Sequence, residues 1–191
     1  WVIIHYYNMN REPIRRIGIE IYGNAENWTI KNCYFHEVGD GPMSSQGGNG
    51  THSENLKWTD NVVVCCGCGA EIWQCDEGSY LKDISLKNNI FAYIGAGLIQ
   101  SGNYGYLTGG HVINGFMTGT KRTENIVMEQ NLIYKPVGQI LPTYLITDAQ
   151  DKVGWLVRDN EYVGSEKCAS IVQNHDDLPY RQGVITPNAC L

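Results

Sequence analysis

The sequence is poor in charge. Asp, Glu, Lys and Arg make up 18% of its 191 residues, against a usual ~25%. Basic residues are outnumbered 14 to 20, for a net charge of −6. That excludes a phosphate-backbone binder as the default, and with it a nucleic-acid partner. No apolar run of about eighteen residues occurs, so no membrane partner is expected. Alanine and leucine are scarce, which argues against a helical bundle. Neither a GxSxG elbow nor an HExxH helix is present. The glycines around Gly47 to Gly50 do not lead a strand into a helix, so they are not a phosphate loop. No Met and no basic n-region stand before Trp1. The expectation is a piece of a longer, secreted protein whose signal peptide lies outside this chain.

What is present points to a β protein. Apolar residues reach 42%, enough for a sizeable core, and glycine is 22 of 191, about 11.5%, against ~7% in an average chain. Seven cysteines leave at least one unpaired. Cys65, Cys66 and Cys68, with Cys75 nearby, contain one CxxC and no matching His, whereas a structural zinc needs four ligands. They read as small buried hydrophobes, and no metal site is predicted. A Cys168–Cys190 disulfide would close the C-terminal end.

The chain repeats. Asn27-Trp28-Thr29-Ile30-Lys31-Asn32-Cys33-Tyr34-Phe35 is echoed by segments beginning at Asn55, Asp83 and Asn125, and more weakly at Gly154. The spacings are 28, 28, 42 and 29, and 42 is one repeat with 14 residues inserted. Val2 to Tyr7 reads as the tail of an earlier copy, with His5 placed 28 residues before Cys33. Each copy alternates with period 2, so it is a strand. A glycine follows at a near-fixed offset (Gly41, Gly69, Gly97, Gly138), and a second strand follows the glycine. Units of ~28 residues without a helix cannot bury their own apolar faces, so they must stack. Asn61, Asn89, Asn131 and Asn160 would then form a ladder at a bend, with left-handed backbone tolerated there, and Cys33 stands in the same position.

The predicted fold is all-β: a right-handed parallel β-helix of about six short coils. Coils occupy residues 1–163, with an insertion at 102–124, and 164–191 form a C-terminal cap or terminal coil. The segments Gly18-Ile19-Glu20-Ile21-Tyr22-Gly23, Gly69-Ala70-Glu71-Ile72-Trp73 and Gly109-Gly110-His111-Val112 resemble β-helix regions of the pectate-lyase-like superfamily in gut-bacterial plant-polysaccharide proteins. The resemblance covers roughly residues 18 to 163. It implies an extracellular protein acting on polysaccharide, and among its members the β-helical xylan-binding modules are similar in size.

Alternation turns Ile19, Ile21, Ala70 and Ile72 inward, leaving Glu20, Tyr22, Glu71 and Trp73 outward. Met43 and Ser45 are placed between them in register, followed by Ile99 and Ser101, then Leu141 and Tyr144. Gln46, Gln74 and Gln100 flank this face, and His111 sits in the Gly-rich insertion. Aromatic rings stack on sugar C–H faces, while carboxylates and amides bond hydroxyls. The predicted ligand-binding set is Glu20, Tyr22, Met43, Gln46, Glu71, Trp73, Gln74, Gln100 and His111.

Two functional readings follow. One is a carbohydrate-binding module for a xylan-like polysaccharide, covalently linked to a catalytic module. The other is a truncated catalytic β-helix, a glycoside hydrolase or polysaccharide lyase, with Glu20, Glu71 and Asp40 as candidate carboxylates. Glu20 and Glu71 stand two coils apart, ~9.6 Å between backbones, at the edge of the ~6.5–9.5 Å of inverting glycosidases. A lyase would want a basic residue on this face, and none is there. No cofactor is predicted; calcium is the one ion the superfamily resemblance leaves open. A structural or adhesive rod is the third reading.

Overall fold

The alternation of each repeat becomes strand structure. A computed structural model describes residues 2–5, 17–38, 41–74, 76, 78–94, 110–117, 122–135, 143–147, 152–153 and 156–164. Among them there is strand and turn but no helix, and none is long and apolar enough to cross a membrane. Strand β1 (Val2–His5) comes first. Then follow β2 (Ile19–Tyr22), β3 (Ala25–Glu26), β4 (Thr29–Lys31) and β5 (Cys33–His36). The next two repeats are β6 (Met43–Gly47), β7 (His52–Thr59) and β8 (Val62–Val64), then β9 (Cys68–Gln74), β10 (Tyr80–Lys87) and β11 (Ile90–Ala92). The last two are β12 (Gly110–Met117), β13 (Arg122–Glu129) and β14 (Leu132–Lys135), then β15 (Thr143–Thr147), β16 (Lys152–Val153), β17 (Leu156–Arg158) and β18 (Glu161–Gly164).

Each repeat gives one strand, or a broken pair, to each of three sheets. The six-stranded sheet runs β1-β5-β8-β11-β14-β18 and the five-stranded sheet β15-β12-β9-β6-β2. The seven-stranded sheet runs β16-β13-β10-β7-β3, with β17 on β13 and β4 on β7. Every pairing is parallel. Equivalent side chains therefore lie in rows across the strands. Phe35, Val63, Phe91 and Ile133 form one buried row. Ile30, Trp58, Leu86 and Met128 form another. Trp58 is 1% exposed, and its indole N–H donates to Ser45 Oγ at 3.1 Å, so this core tryptophan needs no solvent.

The corners carry the sequence signature. Asn61, Asn89, Asn131 and Asn160 are buried, and each of the first three donates Nδ2 to the Oδ1 of the next, at 3.1, 3.0 and 2.8 Å. Each Oδ1 also accepts a backbone N–H from the preceding repeat, including that of Cys33, which keeps Cys33 in the ladder without an amide. Each Nδ2 also reaches a main-chain carbonyl, that of Ile30, Trp58, Leu86 or Met128. The left-handed backbone expected of these Asn residues lies one residue earlier, at Asn32, Asp60, Asn88, Gln130 and Asp159. A second left-handed series, Asn27, Asn55, Asp83 and Asn125, interrupts the strands of the seven-stranded sheet and explains the Asn or Asp that opens each repeat. A third, Glu37, Cys65 and Tyr93, precedes buried Val38, Cys66 and Ile94. Cys65 and Cys66 are thus a corner residue and a core residue, and burial pushes the Cys66 thiol up to about 12. Cys33, Cys65 and Cys66 are free thiols. Cys75, Cys168 and Cys190 lie outside the described residues.

Three expectations are corrected by register. Val2 pairs with Cys33 and His5 with His36, so the first copy is offset by 31 residues and not 28. The inserted residues lie between β11 and β12, because Phe91 still pairs with Val63 at 28 while His111 pairs with Cys68 at 43. Much of 102–124 is therefore regular strand. The strand after β9 is β12, and the segment from Ile99 to Ser101 that was expected there lies outside the described residues.

On the outward side of the seven-stranded sheet, Glu129 stands between Lys87 and Arg158 in one row. Lys87 Nζ is 3.1 Å from its Oε1 and Arg158 Nη2 is 2.7 Å from its Oε2. Hydrogen bonds from Arg158, then Lys87, hold its carboxyl below the usual range. The stability it contributes is complete above the unfolded value of ~4.3 and is lost as pH falls through the lower folded value. The urea-midpoint gap between the wild-type chain and Glu129→Gln should shrink across that acid window and stay constant at neutral pH. In the buried ladder, Asn89→Ala strands two donors of Asn61 and the acceptors Trp58 O and Asn131 Oδ1, so urea unfolding should show a loss of more than ~3 kcal/mol. Asn125→Gly, exposed and left-handed, should change stability by less than ~0.5 kcal/mol.

Candidate functional site

The outward side of the five-stranded sheet carries the predicted site residues, and register settles which ones. Glu20 pairs with Ser44 and Ser44 with Glu71, while Tyr22 pairs with Gln46 and Gln46 with Trp73. Glu20, Tyr22, Gln46, Glu71 and Trp73 therefore share two adjacent rows. Asn114 and Phe116 of β12 continue those rows by register. Glu20 and Glu71 are two strands apart, ~9.6 Å between backbones.

Met43 is not on this face. It pairs with Ile19 and Ala70, is 1% exposed and belongs to the core. Ser45 likewise points inward, to Trp58. The cause is a one-residue slip: β6 and β9 pair at an offset of 27, while β5 and β8 pair at 28. The connection from β5 to β6 is one residue longer than that from β8 to β9. Ser44, missed by the sequence reading, takes the place given to Met43, Gln46 takes the place given to Ser45, and that slip flips every side chain. Gln74 also alternates inward, opposite Gly47, and is fully buried. His111 falls opposite Cys68 by register and not opposite Glu71 or Trp73, whose partners are Asn114 and Phe116. Asp40 and Gln100 lie outside the described residues.

The site is graded from exposed to buried. Tyr22 is 49% exposed and Glu20 is exposed, Trp73 is half-buried, and Ser44, Gln46 and Glu71 are buried. The expected open stripe is thus closed at its centre. Ser44 Oγ donates to Glu71 Oε2 at 3.1 Å and Gln46 Nε2 donates to the same oxygen at 2.8 Å. Gln46 Nε2 also lies 3.0 Å from Ser44 Oγ. Hydrogen bonds to an ionised acceptor are the strong ones, and these fix the carboxylate of Glu71 in one position. Gly41 makes room for it: a Cβ there would come within 2.9 Å of Glu71 Cβ and 3.0 Å of Oε2. At the exposed end, Asn49 Nδ2 donates to the Tyr22 hydroxyl at 3.5 Å. Among the described residues no group of three or more His, Cys, Asp or Glu side chains is placed to hold a metal ion.

No protein-family model, no curated protein and no solved structure matches this chain.

Among the described residues the fully buried amide of Gln74 has no hydrogen-bond partner at either Nε2 or Oε1. Gln74→Met removes both polar atoms at nearly constant volume. It should stabilise the protein by ~1–2 kcal/mol, a rise in Tm of roughly 2–8 °C by calorimetry.

Proposed function

We propose that the chain is a carbohydrate-binding module on a right-handed parallel β-helix of the pectate-lyase-like kind, recognising a xylan-like plant cell-wall polysaccharide. In this reading it belongs to a secreted bacterial protein and is covalently linked to a catalytic module. The observation that carries it is the pairing of two rows on one face. Tyr22, Gln46 and Trp73 supply ring, amide and ring, beside Glu20, Ser44 and Glu71. Tyr22 and Glu20 offer the exposed edge to a sugar chain, and Trp73 a half-buried ring. Ser44, Gln46 and Glu71 form a rigid polar floor that keeps the rings in register. Three parallel sheets, each taking a strand from every repeat, support the helical reading.

A second reading, glycoside hydrolysis, is favoured by one detail. Glu71 is a buried carboxyl with two donors on one oxygen, and exposed Glu20 stands in the same row. Two carboxyl groups in unlike surroundings are the arrangement that acid–base hydrolysis uses.

Incubation with insoluble xylan, pectin and cellulose separates the readings. Retention on xylan without sugar release, weakened at least ~tenfold by Trp73→Ala, is expected of a binding module. Release of reducing ends, abolished by Glu71→Gln, would transfer the assignment to a hydrolase. A protein neither retained nor active would be a structural rod.

A further inference from the structure

A second feature lies on a different sheet. At the β3 end of the seven-stranded sheet is an open cavity of about 420 Å³, lined by Asn24, Ala25, Glu26, His52, Glu54 and Tyr80. Its size falls within the ~300–1,000 Å³ of small-molecule sites. Register builds it: His52 stands opposite Tyr80 and Glu26 opposite Glu54. The rings of His52 and Tyr80 stack, with centroids 4.2 Å apart and planes 24° from parallel. His52 is held twice. Its Nε2 donates to the Gly78 carbonyl at 3.2 Å, and its backbone N–H donates to Asn24 Oδ1 at 2.8 Å. Among the described residues no strand pairs beyond β3, so the platform has an open side.

Beside this platform are two carboxylates that form no ion pair among the described residues. Neither Glu26 nor Glu54 forms an ion pair with any described residue, and their backbones are one strand spacing apart, ~4.8 Å. Lys82, next in the row, has Nζ 3.9 Å from Asp83 Oδ2. A neutral ligand would leave two like charges facing each other. A protonated amine offsets both, and its carbon skeleton lies against the ring pair.

We propose that this cavity binds a primary ammonium group on a compact polar skeleton, clamped by Glu26 and Glu54 over the His52–Tyr80 platform. Such a group is found on an amino sugar or on a small polyamine, and the cavity recognises the chemistry they share. Isothermal titration calorimetry of the full chain with a glucosamine oligosaccharide, its N-acetylated counterpart and spermidine tests this. Binding of the glucosamine oligosaccharide is expected, weakened at least ~tenfold by N-acetylation and by combined Glu26→Gln and Glu54→Gln, as for a close charge pair. His52→Ala should weaken it as well, while Tyr134→Ala, exposed on the six-stranded sheet, should leave it unchanged. Binding of spermidine alone would assign the site to polyamines. Equal binding of the N-acetylated sugar, an unchanged affinity in the Gln variants, or no binding of either amine overturns the proposal.

Discussion

The buried asparagine ladder is the constraint from which the rest of the architecture follows. Parallel strands in register need equivalent residues of successive repeats to stack, and the amides of Asn61, Asn89, Asn131 and Asn160 enforce that stacking at a corner. An amide carries a donor group and an acceptor, so it repeats the backbone's own bonding pattern between repeats. Each Oδ1 accepts both a side-chain and a main-chain donor, and each Nδ2 also reaches a carbonyl. A slipped register would leave several of these groups unpaired in the core, at ~1–3 kcal/mol each. The ladder is therefore as much a device for register as for stability.

The ladder also dictates what surrounds it. To aim an Asn inward, the chain must turn sharply just before it, and that residue is left-handed in every repeat described: Asn32, Asp60, Asn88, Gln130 and Asp159. The opposite corner uses the same backbone device with an apolar filling, Val38, Cys66 and Ile94. That accounts for Cys65 at the corner and Cys66 in the core. A thiol is small enough for the corner and apolar enough for the core.

Legibility tracked the constancy of the period. The strands, the repeat near 28 and the Asn ladder could be read from residues alone, because Asn61 to Asn89 and Leu56 to Ile84 keep that spacing. The outward pair Glu20 and Tyr22 was legible for the same reason, since alternation is local to one strand. Position across strands was harder to read. Connections of unequal length around β6 moved Ser44 into the row assigned to Met43 and sent Met43 to the core. The extra residues before β12 shifted the row again, so Asn114 and Phe116 stand where Ile99 and Ser101 were expected. Burial of Ser44 and Glu71 could not be read from a period-2 pattern, which separates the two sides of a strand but does not say whether the outer side meets solvent.

The two outward faces differ in a way that bears on function. On the seven-stranded sheet the offset of 28 holds from β3 through β10, which sets Glu26 opposite Glu54, with Lys82 next in that row, and His52 beside Tyr80. On the five-stranded sheet the offsets vary, and each row mixes residue types: glutamate, serine, glutamate in one, tyrosine, glutamine, tryptophan in the other. Like charges one strand apart repel unless something lies between or upon them. In the mixed rows Ser44 separates the two carboxylates and, with Gln46, donates to one of them. On the seven-stranded sheet no residue separates Glu26 from Glu54. One face has satisfied its acid internally, and the other still presents charge outward, which is where a cationic ligand gains most.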